Sequence, residues 1–194
     1  MGWTIEIGQR DYERLRDHLE AGDEVEQVAF LLTEPYAGDE TLRVAAIQLI
    51  EAGDFNLQSG YHVELADEVR PDLIKRAWEE EACVIEVHSH LDGPARFSWS
   101  DLAGFDEWVP HMRWRLRGRP YAALVFAPDD FDALVWNGDT GPDRLQQLVI
   151  IDGPVLRPTG DTHASLAPKT PRTPAETAEE PPKKKPWWRR LLGR

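Results

Sequence analysis

One stretch of the chain decides the fold assignment: residues 86–101 read EVHSHLDGPARFSWSD. The run Cys83–His90, which overlaps its start, is mostly apolar and predicts a strand that is buried on one face. Gly93 and Pro94 predict a turn, and Ser98–Met112 then carries apolar residues at helical spacing. A strand, a turn and a helix in this order place the polar residues of the stretch where the strand ends and the helix begins.

The polar residues of this stretch form a candidate metal site. Side chains alternate between the two faces of a strand, so His88 and His90 point to the same side. Asp101 stands at the start of the next helix, and the intervening turn can bring its carboxylate back beside both imidazoles. Two histidines and one carboxylate leave a fourth tetrahedral position for water, which is the pattern of a catalytic zinc site. The sequence therefore predicts a Zn2+ site on His88, His90 and Asp101.

The same residues also have a purely structural interpretation. Ser98-x-x-Asp101 is close to a capping box, so helix geometry alone could explain both residues. His88 and His90 could be ordinary core or surface histidines. The joint pattern His-x-His-x7-Ser-x2-Asp is much rarer than any pair of its members, and it favours the metal site.

This joint pattern resembles the signature of the JAMM (JAB1/MPN+) metalloproteases, in which an upstream glutamate precedes His-x-His-x7-Ser-x2-Asp. Here His88-Ser-His90 is followed by LDGPARF, Ser98 and Asp101, with the spacing intact. The resemblance covers about residues 3–151. It implies an MPN/JAB (cytidine-deaminase-like) architecture.

The family's glutamate lies on a strand after the first helix, in a context similar to E-x-x-G-x-L. This chain reads Glu26-Gln-Val-Ala29-Phe-Leu31 there, with alanine at the usual glycine position. Leu91 also replaces the proline that often follows the second histidine. Glu24 is the alternative to Glu26, because a period of two gives both the same face. The downstream context favours Glu26.

The resemblance implies a role for each of these residues. Zinc held by His88, His90 and Asp101 would activate a water molecule, and Glu26 would accept its proton and pass it to the leaving amine. The Ser98 hydroxyl would help to stabilise the oxyanion. Glu86, two residues before His88, is interpreted as a partner of a nearby base rather than as a ligand.

The implied activity is zinc-dependent metallopeptidase or isopeptidase cleavage of an amide bond at the C-terminus of a ubiquitin-like protein, in precursor processing or deconjugation. The short chain resembles prokaryotic members, some of which accompany activating and conjugating enzymes in bacterial ubiquitin-like or antiphage systems. The substrate's tail would lie extended beside the zinc as an added strand, with Trp99, Trp108 and Trp114 as candidates to line the groove. Two alternatives remain open: a non-catalytic MPN-type scaffold that recruits partners through its tail, and a DNA-related protein of the RadC kind.

The rest of the chain alternates between strand and helix patterns. The predicted strands are Trp3–Ile7, Val25–Thr33, Thr41–Ile50, Tyr61–Leu65, Tyr121–Phe126, Phe131–Trp136 and Leu145–Ile151; the other predicted helices are 9–20 and Pro71–Glu80. This order predicts an α/β domain with a mixed β-sheet flanked by helices.

Charge and proline divide the 194 residues into three parts. Residues 161–194 hold 4 acidic and 8 basic side chains, which leaves 31 acidic and 14 basic side chains in residues 1–160. The body therefore carries −17 and the tail +4. The predicted parts are a JAB/MPN metallopeptidase domain over 1–157, a disordered Pro-rich linker over 158–182 and a basic Trp-containing segment over 183–194.

The acidic body argues against a nucleic-acid partner. The terminal segment KKKPWWRRLLGR predicts, at most, weak contact with an anionic membrane surface. The alternating arginines Arg113, Arg115, Arg117 and Arg119 could contact an acidic partner or form a solvated helix end. No targeting signal or bilayer-spanning run is recognisable, so the expected location is the cytoplasm.

Overall fold

Strands and helices follow each other along the chain in the computed structural model, which describes residues 2–22, 24–138 and 141–166. The strands are β1 (Trp3–Gly8), β2 (Val28–Pro35), β3 (Thr41–Leu49), β4 (Phe55–Gln58), β5 (Val63–Leu65), β6 (Ala82–Ser89), β7 (Tyr121–Phe126), β8 (Phe131–Trp136), β9 (Asp143–Ile151) and β10 (Val155–Leu156). The helices are α1 (Gln9–Glu20), α2 (Val69–Glu79), α3 (Trp99–Arg115) and α4 (Asp161–Leu166).

The main sheet is mixed and closes on itself. Its strand order is β1-β3-β2-β6-β7-β8-β9-β10, and β1 also pairs with β9. The pairs β1–β3, β1–β9 and β6–β7 are parallel, whereas the other neighbours in the main sheet are antiparallel. The predicted mixed sheet with flanking helices is confirmed. The closure was not predicted, because it depends on the pairing of two strands at opposite ends of the domain sequence.

Two apolar cores lie on the two faces of this sheet. Leu15 and Leu19 of α1 pack on one face, against a buried cluster that includes Ile85. Helices α2 and α3 cover the other face, where Leu73 and Met112 are fully buried. Strand β6 lies between the two cores, which explains its nearly continuous apolar sequence.

Strand β6, helix α3 and strand β7 form a β–α–β unit, because β6 and β7 are parallel neighbours. The connection turns at Gly93, whose φ of 98° lies in the left-handed region that glycine adopts readily. The carboxyl end of β6 therefore faces the start of α3. In α/β sheets this edge is where ligands usually bind.

Several predicted boundaries shift. Strand β2 begins at Val28 rather than Val25, so Glu26 lies in the segment that leads into the strand. The predicted strand Tyr61–Leu65 begins at Val63 and pairs with β4, which the sequence interpretation missed. Helix α3 extends to Arg115 and accommodates Pro110.

The predicted disordered linker over 158–182 is wrong for residues 158–166, which pack on the domain. The fully buried carboxylate of Asp132 accepts hydrogen bonds from the backbone N–H groups of Gly160 (2.9 Å) and Thr162 (2.8 Å). Composition alone suggested a solvated segment, because the buried acceptor lies far away in the sequence. The rest of the predicted linker, 167–182, and the basic segment 183–194 lie outside the described residues.

No helix in the described part of the chain is both long enough and apolar enough to cross a membrane.

Candidate metal centre

The end of β6 and the first turn of α3 bring three potential ligands together. His88 is buried at the end of β6, with its ring centroid 5.7 Å from that of Phe97. The half-buried His90 follows directly after the strand and is fixed by a backbone hydrogen bond to the carbonyl of Phe126 (2.7 Å). Asp101 lies in the first turn of α3. The predicted juxtaposition of His88, His90 and Asp101 is therefore present.

The distances among these potential ligands are close to those around a tetrahedral metal ion. The Nε2 atoms of His88 and His90 are 3.3 Å apart, and each lies 3.7 Å from Oδ2 of Asp101. Ligands at about 2.0–2.2 Å from zinc are about 3.3–3.6 Å from each other in a tetrahedron. Imidazole and carboxylate groups bind several divalent transition metals, so these three residues could hold a metal ion.

The capping interpretation is also confirmed. Oγ of Ser98 accepts a hydrogen bond from the backbone N–H of Asp101 (3.2 Å), and Oδ2 of Asp101 accepts one from the backbone N–H of Ser98 (2.7 Å). The oxygen that closes this capping box is the same oxygen that faces both histidines. The cap therefore fixes the orientation of Asp101 toward the imidazoles.

Mutual electrostatics shift the pKa values of Asp101 and His88 in opposite directions. Burial alone would raise the pKa of Asp101, but hydrogen bonds with His88 and His90 hold that pKa well below its usual range. Burial would lower the pKa of His88, but its hydrogen bond to Asp101 and the nearby carboxylates give a net increase. Asp101 is therefore an ionised carboxylate, as a metal ligand must be.

Glu26 stands next to this cluster. Its side chain is buried, with 8% of the residue exposed, and Oε1 lies 3.9 Å from Nε2 of His90. Burial raises the pKa of Glu26, and the positive potential of His88 and His90 only partly offsets that effect. Glu24 is exposed, and both glutamates precede β2, so the period of two does not apply to them. Burial thus separates two residues that sequence periodicity left equivalent.

Three residues that the sequence interpretation missed hold the backbone of Glu26 and Gln27 in place. The backbone N–H of Glu26 donates to the carbonyl of Ser59 (2.9 Å), and the side-chain amide of Gln58 donates to the carbonyl of Glu26 (2.9 Å). Oγ of Ser89 accepts a hydrogen bond from the N–H of Gln27 (2.9 Å). The alternation of β6 gave a signal for Ser89, which lies between the two histidines and faces the opposite side. Nothing in the local sequence pointed to the β4–β5 turn.

Glu86 was predicted to pair with a nearby basic residue, but its partner in the structure is a tyrosine. Its carboxylate accepts a hydrogen bond from the hydroxyl of Tyr121 on the neighbouring strand β7. Burial and the charge of Glu86 raise the pKa of Tyr121 well above 10. The Tyr121 hydroxyl therefore stays protonated and available as a donor to Glu86.

A groove of about 370 Å3 leads away from the cluster, between the β4–β5 hairpin and α3. We call it the metal groove. His88 and Asp101 lie at one part of it, and Arg70 and Trp108 line another. Of the three tryptophans expected to line a groove beside the metal site, Trp108 does so. Trp99 is 84% exposed and Trp114 is 73% exposed, and neither lines the metal groove.

A comparison with protein families matches the part of the chain that contains this site. The family model described as prokaryotic homologs of the JAB domain matches residues 8–136, which include the whole cluster. The chain belongs to this family, and the resemblance to JAB-type proteins is confirmed. The family includes hydrolases as well as non-catalytic members.

A solution structure of a protein from Salinibacter ruber is similar to this chain, with 20% sequence identity and a TM-score of 0.46. The match covers 76% of this chain and 90% of that one. No curated protein sequence matches the chain.

Proposed function

We propose that the protein is a zinc-dependent metallopeptidase or isopeptidase that hydrolyses an amide bond at the C-terminus of a ubiquitin-like protein. One observation carries the proposal: two imidazole nitrogens and a carboxylate oxygen lie 3.3–3.7 Å apart, with the buried carboxylate of Glu26 3.9 Å from one of them. Family membership supports the same function and the cytidine-deaminase-like architecture.

His88, His90 and Asp101 would hold the ion, with two neutral imidazoles and one anionic oxygen. A bound Zn2+ supplies Lewis-acid chemistry and makes water a nucleophile near neutral pH. Glu26 would accept the proton of the attacking water and donate it to the leaving amine. Its raised pKa suits both steps, because a base that is poised nearer to neutrality exchanges protons more easily.

Ser98 is suited to stabilise the oxyanion. Its Oγ uses a lone pair to accept the N–H of Asp101, which leaves the hydroxyl proton available for a second partner. That proton could be donated to the oxygen that becomes negative as the carbonyl carbon turns tetrahedral. The cap and the catalytic role are therefore compatible in one side chain.

The metal groove suits an extended peptide. Strands β4 and β5 form a separate two-stranded sheet, so they offer backbone edges beside the groove for an added strand. The flexible tail of a ubiquitin-like protein can adopt that conformation. In this proposal the activating and conjugating enzymes of the same system are further partners.

The test combines metal content with cleavage. Wild-type protein, Glu26→Gln, His88→Ala and the matched control Glu24→Gln would be analysed by mass spectrometry for zinc and incubated with ubiquitin-like proteins fused to a C-terminal reporter. We expect Glu26→Gln to keep its zinc and lose cleavage by at least about 100-fold. His88→Ala should lose both the zinc and the activity, and Glu24→Gln should keep both.

Two results would contradict the proposal. Full cleavage by Glu26→Gln would remove the assigned base. Wild-type protein that contains no zinc but still binds a ubiquitin-like protein would instead favour the non-catalytic scaffold.

A further inference from the structure

A second groove, of about 680 Å3, lies between α2 and α3. Three indoles line it, and we call it the tryptophan groove after them: Trp78, Trp108 and Trp114. Trp78 is 42% exposed and Trp114 is 73% exposed, which is unusual for the largest apolar side chain. Several such side chains on one exposed surface indicate a binding site.

Each indole of the tryptophan groove carries an arginine. The Cζ atom of Arg70 lies 4.2 Å from the ring centroid of Trp108, and that of Arg117 lies 4.3 Å from the ring centroid of Trp78. The Cζ atom of Arg115 lies 5.2 Å from the ring centroid of Trp114. A guanidinium stacked on a ring keeps its edge N–H groups free for carboxylates.

The charge of the tryptophan groove is opposite to that of the body. Lys75 adds a fourth cation, and none of the described side chains that line the groove is acidic. Residues 1–160 carry −17 in total. The tryptophan groove is therefore a positively charged region on an acidic body. Its charge complements that of an acidic ligand.

The alternating arginines are divided between two tasks. Arg113 donates to the carbonyls of Asn137 and Gly138, and Arg119 donates to carbonyls that include those of Ala77 and Ala82. These two residues hold the C-terminal end of α3 against its neighbours.

Arg115 and Arg117 instead line the tryptophan groove. The predicted solvated helix end does not describe Arg113 and Arg119, which are half-buried and bonded to carbonyls. Arg115 and Arg117 are exposed, and contact with an acidic partner stays a prediction for them.

The tryptophan groove adjoins the metal groove. Arg70 and Trp108 line both of them. A polypeptide that occupies the tryptophan groove is therefore next to the path that leads to His88 and Asp101. Because the two grooves share these residues, a ligand bound between α2 and α3 lies next to the candidate metal centre.

We propose that the tryptophan groove binds an acidic segment, interspersed with apolar residues, of the protein on which the metal centre acts. The identification of the bound protein as substrate rests on the proposed function. Carboxylates of the segment pair with Lys75, Arg115 and Arg117, and its apolar side chains pack on the indoles. A nucleic acid is a poorer fit, because its uniform charge would continue beyond the groove over the acidic body.

The binding test uses a fluorescein-labelled twelve-residue peptide that alternates Glu or Asp with Leu or Phe. Its matched control has Gln and Asn in place of the acids. Lys75→Glu/Arg115→Glu removes groove cations, whereas Arg10→Glu/Arg14→Glu makes the same change in net charge at exposed positions of α1, which packs on the other face of the sheet. Trp114→Ala tests the aromatic part at a largely exposed side chain.

Fluorescence anisotropy should show binding of the acidic peptide to the wild-type protein and about tenfold weaker binding of the neutral peptide. The groove double variant and Trp114→Ala should each weaken binding by about tenfold, and the α1 double variant by less than about twofold. Equal weakening by both double variants, or tighter binding of a dT12 oligonucleotide than of the acidic peptide, would overturn the docking proposal. Thermal melting checks that every variant is folded.

The substrate assignment has its own readout. Unlabelled acidic peptide should inhibit cleavage of a ubiquitin-like fusion by the wild-type protein, and it should inhibit the groove double variant about tenfold less effectively. Peptide that binds without inhibiting cleavage would overturn the substrate assignment alone. The binding measurement does not depend on cleavage, and zinc content does not depend on the groove, so failure of the proposed function would be distinguishable from failure of this inference.

Discussion

Asp101 shows how one residue can satisfy two demands. Its Oδ2 accepts the N–H of Ser98 at 2.7 Å and lies 3.7 Å from both histidine Nε2 atoms. A carboxylate oxygen has lone pairs for more than one partner. The capping and metal interpretations of the sequence are therefore complementary rather than exclusive. A helix start of this kind gives a ligand a fixed orientation without an additional supporting residue.

Cys83 offers a prediction at the same scale. The thiol is fully buried at the start of β6, and burial raises its pKa from about 9 to about 12. We expect iodoacetamide to label the native protein at pH 8 about a thousandfold more slowly than the urea-unfolded protein, from ionisation alone. Mass spectrometry of timed samples measures this difference. Rapid labelling of folded protein would show that the thiol is accessible.

The same thiol should make stability depend on pH. Above about pH 9 the unfolded chain releases the Cys83 proton while the native protein retains it, so unfolding becomes more favourable as pH rises toward about 12. The contribution is fully present below pH 9 and is lost as pH rises through the folded pKa. Urea unfolding of wild type and Cys83→Ala between pH 8 and pH 10.5 isolates it, because the variant lacks this titration. Parallel pH profiles of the two proteins would contradict the assignment.

At the scale of elements, the start of α3 allows capping to be separated from chemistry. Ser98→Ala should lower the free energy of unfolding by about 1 kcal/mol, because it removes the N-cap acceptor. Ser98→Asn restores an N-cap oxygen and should stay close to wild-type stability. Chemical denaturation, zinc content and cleavage rate would be measured for both variants.

If the Ser98 hydroxyl acts on the oxyanion, both variants should lose cleavage by about 100-fold, although only Ser98→Ala loses stability. Wild-type cleavage by Ser98→Asn would restrict Ser98 to its capping role.

The accuracy of the sequence interpretation also varies by element. Strands β7 and β8 match the predicted bounds because each is a short apolar run that is almost wholly buried. Strand β4 was not predicted, and β5 is shorter than the predicted strand Tyr61–Leu65. The side chains of this hairpin are only partly buried and give little periodicity. Helix α4 was assigned to a linker because its main anchor, Asp132, is distant in sequence.

In the candidate site, too, residues that lie close together in the sequence were predicted more easily than contacts between distant residues. His88, His90 and Asp101 were found from spacing alone, because a strand and the next helix start bring them together locally. Periodicity left Glu26 and Glu24 equivalent, and the downstream context favoured Glu26. The burial that separates them in the structure depends on contacts with distant residues such as Gln58, which no local pattern encodes.

At the scale of the whole molecule, residues 158–166 support the loop that connects the ligands. Oγ of Thr162 accepts the N–H of Phe97 (3.1 Å), and the hydroxyl of Thr159 donates to the carbonyl of Ala95 (3.1 Å). Both contacts fall between His90 and Ser98. The segment that composition assigned to a linker thus holds the loop between His90 and Ser98 in place.

Shortened chains test this support. A chain that ends at Leu166 should keep the stability and zinc content of residues 1–194. A chain that ends at Arg157 leaves the buried Asp132 carboxylate without its donors from Gly160 and Thr162, and should lose about 3 kcal/mol of unfolding free energy. Urea denaturation and zinc analysis compare the two chains, with full-length Asp132→Asn as the reference for the carboxylate itself. Equal stability of both shortened chains would show that α4 does not contribute.

The pairing of β1 with β9 has a consequence for synthesis. Within this domain β1 is made before β3 and β9. One edge of β1 can pair with β3 early, but its other edge, and the indole of Trp3, can find β9 and Asp143 only after those residues are made. The sheet cannot close while the ribosome still holds residues 143–151. Contacts between such distant parts of a chain also slow folding. We therefore expect this domain to complete its fold late, with one edge of β1 unpaired until β9 has been made.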